Sequence, residues 1–498
     1  MASPDVGYGR RTLVFIAVAV LIAAHVLWQA WAIGAAPYPA RYDYDEGVYA
    51  ETAAVSAGYR LYQTVFLSQP PLLIEVLRRA FDLFGRSLET ARGVVVAFSA
   101  LWLAALAAAA ARAGGHRAAL WVVVIAGSAP AFALAAHTVQ MEAPSEALAA
   151  SAVALALTAG GASSKDGLAR AAGWLWAGTG AAAGLAVMTK FTAATCLVPI
   201  AVIALVGSGR PSAGAAAFRT AALGAGGAAA AAAAMLWTGS PPGAMWHQAV
   251  EFHSAVARVT AVDPTRTASL LLGFGLANWL LVLVGLGGLV SAGTARRGGR
   301  VPGDHAARWA IAAWLGTDLA AAFLWRPVWP HHLVILVAPL ALLGGTAIET
   351  WAPSPQNSGT SPVIRGAGGA ILIVAWLAAL MGTAAAIMPE TSSTLRAAAA
   401  ATARRVPPGG WVVADDPIVP FLAGRDVPPQ LCDTSEMRTG AGWITEGDLT
   451  AALADPRVRA LVLWRGTFRR AFPGFVARAS RALSVRWNAG DERVILAR

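Results

Sequence analysis

The stretch Arg41-Tyr-Asp-Tyr-Asp-Glu-Gly-Val-Tyr-Ala-Glu51 puts four carboxylates within nine positions of a chain in which only 13% of residues are charged. A carboxylate held at a membrane surface takes a proton from a hydroxyl, so Asp43, Asp45 and Glu46 are candidates for a general base. The plain alternative is a hydrated loop. His137-Thr-Val-Gln-Met-Glu142-Ala-Pro-Ser-Glu146 sets two more acids at the start of an apolar run, where a helix dipole alone would favour them. Lys190 stands between two apolar runs. A lysine costs about 2.5–3.5 kcal/mol in mid-span, so this one is either a working cation or a side chain that reaches out to the headgroups. Trp325-Arg-Pro-Val-Trp-Pro-His331-His332 brings aromatics and two imidazoles to another end of an apolar run. Either imidazole suits a phosphate or a hydroxyl, but neighbours in sequence point to different sides of a helix, so a two-histidine metal site is not expected. Asp318, inside the preceding apolar run, has to face a polar cavity or pair with a neighbour.

The elements that must position these groups are apolar helices. The 498 residues are 57% hydrophobic and contain repeated runs near the ~20 residues that a helix needs to cross a bilayer, which makes a mainly α, polytopic transmembrane bundle. Its 51 glycines and many alanine tracts suit helices packed closely in lipid. The net charge of +11 comes from arginines scattered at the ends of apolar runs, without a basic patch or nucleic-acid motif, so nucleic acid is not a partner. Cys196 and Cys432 lie far apart and in different settings, which argues against a structural disulfide and against a zinc-type spacing.

A first span over 13–33 and further spans near 88–112, 117–136, 146–162, 171–188, 191–208, 217–238, 268–293, 306–325, 331–348 and 365–388 make about eleven. Arg10, Arg11, Arg112, Arg117, Lys165, Arg210, Arg219 and Arg308 all fall on one side of this alternation, which places the N-terminus in the cytoplasm. The first loop, 34–87, and everything after 390 are then extracytoplasmic. Within the loop, 47–58 and 71–84 have helical apolar spacing with interleaved charges, as interfacial helices do, and Pro70-Pro71 separates them. Residues 1–390 form the membrane unit. Residues 391–498, with short apolar runs and a helical stretch between them, read as a small external α/β domain large enough to hold its own core.

Asp45-Glu46-Gly-Val-Tyr49, Gln69-Pro-Pro-Leu72, Phe84-Gly-Arg-Ser with Ala91-Arg92, the second acidic loop and Thr189-Lys190, in this order, resemble the glycosyltransferase-C superfamily. The likeness is to lipid A aminoarabinose transferases and protein O-mannosyltransferases, and it runs to about residue 350. It implies a sugar donor carried on a polyprenyl phosphate, membrane lipids as surroundings, and an acceptor that is a lipid, polysaccharide or protein. The implied reaction is an inverting displacement with Asp45, beside Glu46, as the catalytic carboxylate. Lys190, together with Arg92 or Arg326, would stabilise the leaving phosphate. Glu142 stands where the family has Asp, Gln69 where it has Lys, and His331 and His332 where it has aromatic or polar residues. Asp43, Tyr49 and Asp318 are candidates to line the cavity. No cofactor is assigned; Asp43 and Asp45, spaced as a DxD pair, leave room for a divalent ion, which needs further ligands. A transporter or flippase of a lipid-linked solute is the alternative, and it calls for internal repeats and charges near the bilayer midplane.

Overall fold

The computed structural model describes residues 5–162, 169–206, 211–294, 302–351, 362–490 and 493–498. Lys165 and Arg210 from the charge alternation lie outside them. Helix α1 (Asp5–Ala35) leads into the first loop, which carries α2 (Tyr44–Val55) and α3 (Leu72–Phe84). There follow α4 (Leu88–Gly114), α5 (His116–Gly127), α6 (Pro130–Ala135), α7 (Glu142–Ala162), α8 (Ala169–Thr189), a 3-10 turn (Phe191–Cys196), α9 (Leu197–Val206) and α10 (Ala213–Thr238). A second loop with α11 (Pro242–Trp246) and α12 (Phe252–Val259) precedes α13 (Pro264–Ala277), α14 (Trp279–Thr294) and α15 (Pro302–Leu324). A second 3-10 turn (Pro330–Leu336), α16 (Val337–Trp351) and α17 (Pro362–Ala386) complete the membrane part.

Among the described residues, five helices are long and apolar enough to cross a membrane: Arg11–Ala35, Leu88–Gly114, Glu142–Ala162, Ala213–Thr238 and Pro330–Ile348. The other expected spans are shorter, bent or not wholly described. The run over 268–293 is not one span, because α13 and α14 meet at 99°. Asn278 sits at the bend, where its Nδ2 donates to the Phe274 carbonyl (2.9 Å) and its Oδ1 accepts from the Ala131 N–H (3.0 Å). The run over 117–136 is likewise divided into α5 and α6 at Pro130, which has no N–H to give a helix. Small residues set the helix spacing: a Cβ on Gly180 of α8 would lie 2.0 Å from the Leu223 carbonyl oxygen of α10, and one on Gly226 would lie 2.0 Å from that of Ala177.

After α18 (Ser393–Arg405) the chain forms β1 (Trp411–Ala414), α19 (Ile418–Leu422), α20 (Glu436–Gly440), α21 (Glu446–Ala454), β2 (Val458–Leu463), α22 (Thr467–Ala471), α23 (Pro473–Ala482), β3 (Ser484–Asn488) and β4 (Val494–Ala497). The sheet order is β1-β2-β4-β3, with β1 and β2 parallel and the other neighbours antiparallel. Side chains alternate across a strand, and each face has a different fate. Val413, Leu461, Leu463 and Leu496 pack with Leu449, Phe468 and Phe475 of the same segment. Val412, Ala414, Val462 and Ile495 join a core with Val48, Ala53, Leu73, Ile74 and Leu77 of α2 and α3.

The C-terminal segment thus has a core of its own on one sheet face and shares the core on the other face with the first loop. Gly47 shows how close the approach is, since a Cβ there would lie 2.7 Å from the Ile418 nitrogen. Arg86 bridges Glu51 (2.7 Å) and Asp426, and the Val427 N–H donates to Glu51 (2.9 Å). Burial pushes the Glu51 carboxyl up to about 7 against the opposing charge of Arg86. A fragment of residues 394–498 exposes the apolar sheet face that α2 and α3 cover, so it is expected to aggregate or bind a hydrophobic dye. A monomeric fragment with a cooperative melt would contradict the shared core.

Candidate active site

Asp43 and Asp45 flank the start of α2, and the Asp43 carboxylate accepts the Asp45 N–H at 2.9 Å, which caps the helix. This short cap fixes both acids at the N-terminus of α2. Glu142 opens α7, Lys190 is the extended residue between α8 and the 3-10 turn, and His331 lies in the turn that follows Trp329. These four elements bring the charges together. His331 Nδ1 is 3.3 Å from Asp43 Oδ2, while its Nε2 is 3.9 Å from Asp45 Oδ2 and 3.8 Å from Glu142 Oε1. Lys190 Nζ donates to that same Glu142 oxygen. Tyr49 donates its phenol proton to Asp45 Oδ2 (3.4 Å).

The two acids of the loop differ electrically. Burial, reinforced by the nearby charge of Asp43, raises the Asp45 carboxyl to about 7. Burial also acts to raise Asp43, but hydrogen bonding to His331 and the charge of its ring outweigh that, leaving Asp43 below the usual carboxylate range. Of these two acids, Asp45 is the one whose charge changes near neutral pH.

Glu46 is placed differently from its neighbour. One step along the helix turns its side chain inward, where it is fully buried, accepts from Arg92 Nε and Nη2 (2.7 Å each) and takes the Val139 N–H (3.0 Å). A fully buried carboxylate whose charge is met by a bidentate guanidinium is shut off from an acceptor hydroxyl, and Arg92 is correspondingly paired with Glu46. Glu46 and Arg92, expected at the reacting groups, are thus paired with each other and not with the charges gathered at His331. Arg326 is exposed, and the described ion pairs of the cluster do not include it. Asp318 is fully buried in α15 but makes none of these contacts.

His331 and His332 do not diverge as adjacent helical residues would. In a 3-10 turn their ring centroids are 4.6 Å apart, and with Glu142 they offer ligand atoms within 4.8 Å of one another. That donor set fits a zinc-like ion in kind. However, the Lys190 ammonium already sits on Glu142, so a metal would have to displace a cation that the fold supplies.

Sequence reasoning did not single out Tyr42, Tyr44 or His253. Tyr42 donates to Asp416 Oδ2 (2.9 Å) and accepts from Trp464 Nε1 (2.8 Å), and Tyr44 accepts the Thr434 N–H (2.8 Å), so both tyrosines that alternate with the acids are pinned by the C-terminal segment. His253 of α12 reaches the Ser68 carbonyl (2.9 Å) and Gln69 (3.4 Å). The alternation of Tyr with Asp at 42–45 was the available signal for the first two; nothing local marks His253.

One hollow adjoins the cluster and a second lies among the membrane helices. One, of about 530 Å³, is lined by Asp43, Arg92, His137, Gln140 and His331 together with the apolar Leu134, Leu270, Phe274, Leu333, Val334 and Ile387. The other, about 420 Å³, is wholly apolar and lined by Leu72, Val76, Phe98, Leu148, Leu185, Ala233, Ala234 and Trp237.

Most of the chain superimposes on solved structures. Against ArnT from Cupriavidus metallidurans bound to undecaprenyl phosphate, the TM-score is 0.66 at 17% identity, covering 96% of this chain and 97% of that one. The oligosaccharyltransferase of Archaeoglobus fulgidus, in complex with Zn and sulfate, gives 0.58 at 13% identity over 89% of this chain and 67% of that one. The arabinofuranosyltransferase AftD from Mycobacteria gives 0.53 at 15% identity, over 96% of this chain and 39% of that one. The chain is a polytopic membrane protein with the glycosyltransferase-C fold. Within it, residues 68–237 match the family model described as dolichyl-phosphate-mannose-protein mannosyltransferase. None of the curated proteins is similar to the chain in sequence.

Proposed function

We propose that this chain is an integral-membrane glycosyltransferase that moves a hexose or pentose from a polyprenyl-phosphate donor to an acceptor hydroxyl on the extracytoplasmic face. The observation that carries the proposal is the cluster itself: a carboxylate raised to about 7, Asp45, and a buried ammonium, Lys190, both neighbouring the His331–Glu142 contact. Asp45 takes the proton of the acceptor hydroxyl as the acceptor oxygen bonds to the anomeric carbon. On the opposite side the carbon–oxygen bond to phosphate breaks, the electron pair goes to the phosphate, and Lys190 balances the charge that grows there. Attack opposite the leaving group inverts the anomeric carbon.

The undecaprenyl phosphate bound to ArnT and the dolichyl-phosphate mannose in the family description support a lipid-phosphate donor. The apolar groove of α3, α7, α8 and α10 offers a bed for its isoprenoid chain. His331 and His332 remain candidates for phosphate or hydroxyl contacts, and no step runs through a metal. The arginine alternation supports a cytoplasmic N-terminus with 34–87 and 391–498 outside. Cells lacking this protein are expected to accumulate one polyprenyl-phosphate sugar, identified by mass spectrometry of lipid extracts. An unchanged lipid-phosphate profile together with lost import or export of a solute would favour a transporter.

A further inference from the structure

Lys190 and Glu142 are 4% and 2% exposed, and each is bound to the other. In the reaction described above Lys190 must face a phosphate, yet here its ammonium is given to a carboxylate. A buried ammonium left alone would be costly, so some anion has to occupy that position whenever the donor is absent. Glu142 Oε1, the oxygen that holds Lys190, is also 3.8 Å from His331 Nε2. The carboxylate therefore has a second cationic partner within a small side-chain rotation.

We propose that Glu142 is a place-holding anion: it occupies the phosphate position on Lys190 in the donor-free protein and, when the donor arrives, passes to His331. The inference rests on the donor reading above and adds an order of events to it. The incoming phosphate takes Lys190, and the displaced carboxylate draws on the same imidazole that faces Asp43 and Asp45. Donor binding thereby loosens the hold of His331 on Asp45, so the base is freed only once a donor is seated. Glu142 is in this scheme a positioning residue.

An intramolecular competitor lowers the apparent affinity for the ligand by the fraction of the protein in which the site is free. Removing the charge of Glu142 should thus tighten binding while weakening the empty protein, which a merely structural ion pair would not do. The experiment is binding of a sugar-free polyprenyl phosphate to purified protein in nanodiscs, with thermal melts run alongside. Glu142→Gln is expected to melt lower when empty, to bind on the order of tenfold tighter than wild type, and to gain more in melting temperature from the ligand. Glu142→Asp, which keeps the charge but withdraws it by one methylene, should lie between the two and serves if the Gln variant does not fold. Weakened binding in either Glu142 variant, with weakened binding in Lys190→Ala, overturns the exchange and leaves the function standing. Lys190→Ala binding as wild type does overturns the phosphate role of Lys190 and the exchange with it.

Discussion

Asp45→Asn lowers turnover by about 10²–10⁴-fold, the range that a well-placed general base supplies, and leaves binding of the lipid donor near wild type. The substitution keeps the size of the side chain and its reach to Tyr49, removing only the ability to accept a proton. An interaction needed only for the chemical step lowers kcat and kcat/KM together. The pH profile carries the same signature. Burial holds the Asp45 carboxyl at about 7, so it is mostly protonated and unable to accept at pH 5 and mostly ionised at pH 8. The wild-type rate should rise through about pH 7 and level off above it. That limb should be missing from the residual rate of Asp45→Asn, measured by product formation with saturating donor. A variant as active as wild type would return the role of base to Asp43, since Glu46 is sealed against Arg92.

Lys190→Ala produces a different loss. The phosphate is charged in the bound donor and gains charge as it leaves, so deleting the ammonium weakens donor binding and lowers the rate of the bound complex, both by about tenfold or more. It also leaves the buried Glu142 with His331, 3.8 Å away, as its remaining cationic partner. Lys190→Arg restores the charge on a longer side chain and should recover part of both losses. Donor titrations with single-turnover rates separate the two terms. A raised donor requirement with an unaltered single-turnover rate would make Lys190 a binding group only.

The charges of the site were legible because the background is so apolar: Asp45 stands in an acidic stretch of the first loop, and Glu142, Lys190 and His331 each stand at an end of a hydrophobic run. Their meeting was not legible, since it joins residues about 45, 142, 190 and 331 along the chain through helix packing that no local pattern records. Glu46 is a case of one residue mattering. In sequence it is the twin of Asp45, but successive helical residues are turned by about 100°, following from 3.6 residues per turn, and this turn takes it from the site to Arg92. Hydropathy is equally blind to the corner at Asn278, because α13 and α14 are both apolar and only the side-chain bonds of Asn278 distinguish a bend from a straight span. The C-terminal segment was legible in part for a related reason: alternating strands predict two apolar faces but not whose side chains cover them, and α2 and α3 lie more than 300 residues earlier.

The central claim is that Asp45 and Lys190 serve one displacement from a lipid phosphate. The most direct measurement incubates purified protein in nanodiscs with a panel of radiolabelled polyprenyl-phosphate sugars and membrane-extracted acceptors, following sugar and lipid together. The account predicts one donor consumed, with released polyprenyl phosphate and glycosylated acceptor appearing in equal amounts, inverted anomeric configuration in the product, and loss of both signals in Asp45→Asn. Transfer with retained configuration, or release of polyprenyl phosphate at the wild-type rate by Asp45→Asn, would contradict it.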